Sequence, residues 1–223
     1  VEDLVPFLTV DDGRWTVDEK TVSGYFIRRY RPRIEGGFSK IERITHPTHG
    51  MWWKVTTRDN IATFFGKSPE YRIADPADEN RVFQWLPELS FDDKGNCVLY
   101  EFKEEDGAGY GDALYDKNRF GDDGMLKFTN RYLKRVYYCP NAPFLPFKPY
   151  LLEGQPVPVD VRYYTPNPSG SDDFLMELVL DYGEHGDLPT NAQGTTSVNY
   201  AEINPWPIRH DAFSTYRSGF EIR

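Results

Sequence analysis

No stretch of this chain sustains the apolar period of a helix. Short runs rich in Val, Ile, Tyr, Phe and Trp recur instead, each closed by turn residues. Tyr25–Tyr30, Phe38–Ile44, Trp52–Thr57, Ile61–Phe65, Val82–Leu86, Val98–Phe102, Tyr132–Tyr138, Val159–Tyr164 and Phe174–Tyr182 read as strands. Asp11-Asp12-Gly13, Asp93-Lys94-Gly95-Asn96 and Asp123-Gly124 supply residues that tolerate positive φ, as tight hairpins require. Thr45-His46-Pro47-Thr48-His49-Gly50 reads as a further hairpin loop. The fold expected is all-β: a curved, mostly antiparallel sheet of short strands and hairpins. An aromatic content of 16% suits it, because rings pack well on a pleated, half-buried surface.

Alternation assigns faces. Val98, Tyr100 and Phe102 point one way and Leu99 and Glu101 the other. Phe174, Met176, Leu178, Leu180 and Tyr182 share a face that is expected to rest on another layer. Two stretches depart from the pattern. Glu104–Gly124 is acidic and Gly-rich and reads as an exposed, mobile insertion. Pro140–Pro168 holds eight of the seventeen prolines, which forbids helix and weakens strand pairing. It reads as an extended loop pinned by Phe144, Phe147 and Tyr150, with an edge strand at Val159–Tyr164. Helix is confined to a turn or two, around Asn80 or Tyr110–Asn118.

The net charge of −9 argues against a nucleic-acid surface, which needs a basic footprint. Arg28, Arg29, Arg31, Arg33, Lys40 and Arg43 form a local basic patch. The reading preferred is a solvated strand face balanced by the acidic middle of the chain, with a docking patch as the alternative. Cys97 and Cys139 sit among apolar neighbours and are expected to be reduced and buried; whether they pair is left open. No apolar run approaches the roughly 20 residues of a membrane helix, and no basic-then-apolar leader opens the chain. It begins at Val1 and stops at Phe220-Glu221-Ile222-Arg223, a strand in progress, so 1–223 is expected to be one β-rich region of a longer protein.

The search for chemistry assigns no catalytic, cofactor-binding or metal residue. His46 and His49 are three apart, but Pro47 and Gly50 place them on a turn without an acidic or Cys partner nearby in sequence. His185 and His210 are isolated. Gly107-Ala108-Gly109-Tyr110-Gly111 puts Asp112 where a dinucleotide loop needs its third glycine, and Glu104, Glu105 and Asp106 would repel a phosphate. The acidic loop lacks the ligand spacing of an EF-hand. Ser169-Gly170-Ser171 has no evident base. Trp52-Trp53 offers either a sugar-stacking platform or, by alternation, one ring in the core and one outside.

The order of motifs is more specific than any one of them. Arg28-Arg29-Tyr30-Arg31-Pro32-Arg33-Ile34-Glu35-Gly36, Phe38-Ser39-Lys40-Ile41-Glu42-Arg43, Trp53-Lys54-Val55, Arg58-Asp59-Asn60 and Arg72-Ile73-Ala74-Asp75-Pro76-Ala77-Asp78 succeed one another. Asp92-Asp93-Lys94-Gly95-Asn96, Asn130-Arg131-Tyr132-Leu133-Lys134-Arg135, Asp181-Tyr182-Gly183-Glu184-His185 and Ser214-Thr215-Tyr216-Arg217-Ser218-Gly219-Phe220-Glu221 follow. This series resembles the amino-terminal region of toxin-complex B components, the SpvB/TcaC family. The resemblance implies a segment of an Rhs/YD-like β-shell, a wall that encloses and helps deliver a toxic effector and performs no catalysis itself. It implies as partners the C component with its enclosed effector, the rest of the B component, and the A component through other regions. Nucleic acid and membrane insertion by this segment are not implied. It also implies secretion to the extracellular space after synthesis in the bacterial cytoplasm. A related virulence protein joins a similar region to an ADP-ribosyltransferase, an activity that needs a Glu-x-Glu pair, and this chain has none. The alternative function is a carbohydrate-binding or adhesion β-domain.

Overall fold

The computed structural model describes residues 3–104, 129–146 and 162–180. The regular structure there is almost entirely strand. β1 is Leu4–Pro6, β2 Leu8–Asp11, β3 Arg14–Val17, β4 Glu19–Val22, β5 Tyr25–Pro32, β6 Lys40–His46 and β7 Gly50–Thr56. β8 is Ala62–Phe65, β9 Arg72–Asp75, β10 Asp78–Trp85, β11 Pro87–Phe91, β12 Cys97–Glu104, β13 Arg131–Pro140 and β14 Phe174–Val179. Ten strands form one sheet of order β1-β5-β6-β7-β8-β11-β12-β13-β14, with β4 also on β5; β2–β3 and β9–β10 are separate two-stranded sheets. Every pairing registered from β1 to β12 is antiparallel.

The chain divides into two compact units, Val1–Phe102 with Arg135–Leu178, and Lys103–Lys134 with Val179–Arg223. The second is described only at its borders, where Arg131 Nη2 meets Glu104 Oε1 at 2.8 Å and Leu180 N donates to Lys134 O. The first unit carries the core.

Turn chemistry fixes the registers. Asp11 faces Arg14 across Asp12-Gly13, and Val22 faces Tyr25 across Ser23-Gly24; both central residues of each turn have positive φ. β1 and β4 lie on β5 as one interrupted edge strand. The β2–β3 hairpin leaves the edge between them, closed at its base by Phe7 N to Arg29 O, Asp18 N to Phe7 O and Arg29 N to Asp18 O. At the expected Asp93-Lys94-Gly95-Asn96 hairpin, Asp92 Oδ1 accepts from Lys94 N and Asn96 N while Gly95 takes φ +97°.

Register aligns the core. Ile27, Ile44 and Trp52 lie opposite one another in one row; Phe64, Leu89 and Leu99 form the next, and Ala62, Phe91 and Cys97 a third. All nine are buried, and each large apolar side chain there contributes about 1.5–3 kcal/mol. Tyr25, Tyr137, Tyr163 and Phe174 complete this core, with Phe144 packed against Phe91 at 5.5 Å.

Four expectations are corrected. Arg162–Tyr164 is a helical turn running into irregular chain, not an edge strand; Val159–Asp160 lies outside the described residues, as do Phe147 and Tyr150. Asn80 lies in β10, not in a helical turn. Cys97 is buried, but Cys139 is exposed with φ +58°; both are free. In β14 only Phe174 is buried, and Met176 and Leu178 are 52% and 53% exposed, because β14 ends the described sheet and none of the described residues covers that face. The acidic insertion from 105 onward, Tyr110–Asn118, Asp123-Gly124, His185 and His210 lie outside the described residues.

Candidate functional site

Of the buried polar groups of the first unit, Lys54, Lys67 and Glu88 converge on one segment, residues 162–169. Pro166 and Pro168 have no N–H to give a strand neighbour, so this segment cannot join the sheet by a ladder. Its buried carbonyls still need donors. Side chains of the sheet and its loops supply them. Lys54 Nζ donates to Arg162 O at 2.8 Å, Trp52 Nε1 to Tyr163 O at 2.9 Å, and Lys67 Nζ to Thr165 O. The segment is a strap laid over the sheet and held through its main chain.

Lys67 and Glu88 anchor the far end. Lys67 follows β8, and Glu88 occupies the irregular step of the β8–β11 pairing. Glu88 is fully buried. Its carboxylate accepts from Ser68 N, Ser68 Oγ and Asn167 Nδ2, each at 2.8 Å, and stands 3.4 Å from Lys67 Nζ. Lys67 also donates to Asn167 Oδ1 at 2.6 Å. Arg72 closes the loop from below, donating from Nε to Gly66 O and from Nη2 to Lys67 O.

Burial drives both ammonium groups toward neutrality. Desolvation lowers the Lys54 pKa to about 8 against the attraction of Glu42. Desolvation also lowers that of Lys67, opposed by Glu88. A depressed lysine is one mark of a nucleophilic amine. Here each nitrogen is buried and already bonded to a strap carbonyl, which leaves no approach for a carbonyl substrate. Burial raises the Tyr71 phenol and pushes the Cys97 thiol up to about 11, away from thiolate reactivity. In each of these groups the shift follows from burial within the fold.

Trp52 is wholly buried, whereas Trp53 lies on the opposite face, edge-on to Tyr30 at 5.2 Å and Trp85 at 6.0 Å. Its ring is engaged by aromatic neighbours, unlike an open sugar platform. Four of the six residues of the basic patch have acidic partners close by, while the acidic middle of the chain lies outside the described residues. Arg28 pairs with Glu19, Arg29 with Asp18, Arg33 with Asp3 and Lys40 with Glu42. His46 and His49 stack ring on ring at 4.8 Å. Among the described residues no three His, Cys, Asp or Glu side chains are grouped to hold a metal. Ser169 N donates to Asp173 Oδ2, which ties the Ser169-Gly170-Ser171 loop to the following turn. The strap anchors Lys67, Glu88 and Asn167 escaped the sequence reading; the only trace is a charge set in an apolar run, as in Leu86-Pro87-Glu88-Leu89.

Comparison with known proteins extends this picture. The model of the SpvB family, described as Salmonella virulence plasmid 65kDa B protein, matches residues 1–223. Over 200 residues the chain is 29% identical to the mono(ADP-ribosyl)transferase SpvB of Salmonella typhimurium, covering 89% of this chain and 29% of that protein. The chain thus spans under a third of the length of these relatives. The N-terminal domain of effector protein SpvB from Salmonella typhimurium strain LT2 superposes with a TM-score of 0.61 at 25% identity, over 99% of this chain and 63% of that one. The structure of TcdB2-TccC3 matches with a TM-score of 0.56 at 28% identity, over 85% of this chain and 8% of that one.

Proposed function

The chain belongs to the SpvB family, and on that premise we propose that it is a non-enzymatic wall segment of a toxin-complex B component, part of a β-shell that encloses a toxic effector and helps deliver it. The observation that carries this reading is where the buried polar groups are spent: Trp52, Lys54, Lys67 and Glu88 all hold the strap or its loop, and none opens onto a cleft. That is the economy of a load-carrying panel. The similarity to TcdB2-TccC3 supports an assembly role and makes a C component with its effector, together with the rest of a B component, the partners proposed. An A component would be met through other regions, and the setting is extracellular. The transferase in the relatives' name is proposed to belong to parts of those proteins that this chain does not match, since it contains no Glu-x-Glu. Residues 1–223 are proposed to act as one β-rich region. Incubating the chain with labelled NAD and host-cell extract tests the non-enzymatic reading: no label should transfer, and transfer lost on replacing one carboxylate would overturn it. A glycan array tests the adhesion alternative, which predicts a selective sugar signal where a wall gives none.

A further inference from the structure

A cleft of about 450 Å³ opens between the strap and the chain that follows β13. Small ligands are typically held in clefts of roughly 300–1,000 Å³. Pro140, Pro143 and Pro146 line it from one segment, and Pro166 and Pro168 line it from the strap. Phe144 lines it beside the first group, and Cys97 of β12, 3% exposed, lines it from the sheet. Both segments are pinned. Phe144 N donates to Gly95 O at 2.9 Å, Asn141 N to Asp173 O at 2.8 Å and Asn141 Nδ2 to Asp172 O at 2.8 Å. The strap is held at Thr165 O and Asn167 by Lys67 and Glu88. Proline also fixes φ, so this lining is formed before any ligand arrives and little ordering cost falls on binding.

The chemistry of the lining selects the ligand. Its five prolines bring no N–H. Asn141 N, Asn141 Nδ2, Phe144 N and Asn167 Nδ2 are all spent on protein acceptors. The cleft therefore offers apolar surface and oxygen acceptors. Asp173 is among the lining residues; its Oδ2 accepts from Ser169 N, and no ion pair to it occurs among the described residues. The ammonium bonded to the strap, Lys67, is matched by Glu88. Burial, and after it the charge of Asp173, push the Cys97 thiol up to about 11, so the sheet side of the cleft is uncharged at neutral pH. We propose that this cleft is a binding site for an apolar cation, an ammonium or guanidinium group carried on an aromatic or aliphatic body. The body packs on the prolines and Phe144, and the cation meets Asp173. An anion would face that carboxylate with no donor to offset the loss of its water. Trp52, Lys54, Lys67 and Glu88 do not line the cleft, so its occupancy is independent of their hold on the strap.

Amide resonances of the isotope-labelled 223-residue chain, titrated with phenethylammonium, test the site. Signals of Asn141, Ala142, Phe144 and Asn167 should shift together and saturate with a dissociation constant of about 1 mM, the strength expected of so small a ligand, while those of β6 and β7 stay in place. Phenylpropionate, with the same ring and the opposite charge, should bind at least about tenfold more weakly. Asp173→Asn keeps an acceptor for Ser169 N and loses the charge; it should weaken phenethylammonium about tenfold and leave phenylpropionate no weaker. Acetyl-phenylalanyl-arginine amide identifies the source of the cation. Saturation by this peptide but not by the free amine assigns the site to a partner's basic side chain, and saturation by both assigns it to the group from either source. No saturable shift with either cation, equal binding of phenethylammonium and phenylpropionate, or an affinity unchanged by Asp173→Asn would each overturn the inference.

Discussion

Replacing Lys67 by Met would remove the cation from the most enclosed polar cluster of the first unit. Three acceptors depend on Lys67 Nζ: Thr165 O, Asn167 Oδ1 and the Glu88 carboxylate 3.4 Å away. Breaking a buried ion pair by deleting one partner costs about 3–5 kcal/mol, because the remaining charge is left uncompensated. Taking the Lys67 bond from the buried Thr165 carbonyl adds up to about 1–3 kcal/mol. Glu88 keeps three hydrogen bonds, from Ser68 N, Ser68 Oγ and Asn167 Nδ2, which offset part of this. The net expectation is a loss of about 4 kcal/mol, a large share of the roughly 5–15 kcal/mol that stabilises a domain. With a urea m-value of about 2 kcal/mol per molar, the midpoint should fall by about 2 M. Glu88→Gln should cost less, because Lys67 retains two oxygen acceptors. The double variant should then be more stable than the sum of the single losses predicts, with a coupling of about 2 kcal/mol. Far-ultraviolet dichroism against urea measures all four proteins. A Lys67→Met midpoint within experimental error of wild type, or strictly additive losses, would refute the argument that this pair is buried and coupled.

The pH dependence of Lys54 has a definite sign: its folded-state pKa is depressed from 10.5 to about 8, so the fold bears the cost of a buried charge below pH 8 and gains stability as the pH rises from 8 toward 10.5. Wild type should therefore gain about 2–3 kcal/mol relative to Lys54→Met between pH 7.5 and 10 in urea titrations, and parallel curves would contradict the shift. The opposing losses from Cys97 and Tyr71 at high pH are common to both proteins and cancel in the difference. Gly95→Ala should lower the melting temperature more than Gly13→Ala: both need positive φ, but a Cβ at Gly95 would lie 2.7 Å from Pro143 Cβ while Gly13 faces open space. Leu178→Asp should fold with a stability change under about 1 kcal/mol, since that side chain is 53% exposed, whereas Phe174→Asp should lose several kcal/mol; equal losses in thermal melts would restore the covered-face reading of β14.

What the sequence disclosed was decided by the range of the interactions involved. β5 to β8 are legible because they are runs rich in Tyr, Phe, Ile, Val and Trp whose core residues Tyr25, Ile27, Ile44, Trp52 and Phe64 are bounded by turn residues, with Gly at the positive-φ positions 24 and 50. β1 to β4 are not, since Leu8, Val10 and Trp15 stay exposed and no buried face stamps its period on the chain. β9 and β11 are short and mixed in polarity, and only their partners make them strands. Val159–Tyr164 has strand composition, but the prolines after it deny the ladder, and Trp52 and Lys54 take over as donors to Tyr163 and Arg162. Phe174–Tyr182 shows that alternation marks two faces without saying that either is covered. The strap anchors were invisible for a related reason. Lys67 and Asn167 are a hundred positions apart, and no local pattern joins a lysine after Phe64-Phe65-Gly66 to an asparagine between two prolines.

The central claim is that this region works through the integrity of its packed sheet. The most direct measurement is the protease resistance of effector enclosed by an assembled B–C complex whose B component carries this region. Phe64→Asp would put an unpaired charge at a fully buried position, and Glu177→Lys would change an exposed one. The account predicts that cargo in the Phe64→Asp complex is digested, or that the complex fails to form, while Glu177→Lys protects its cargo as wild type does. Intact protection with Phe64→Asp, or delivery abolished by a surface change that leaves the cargo enclosed, would contradict the wall and favour a recognition role.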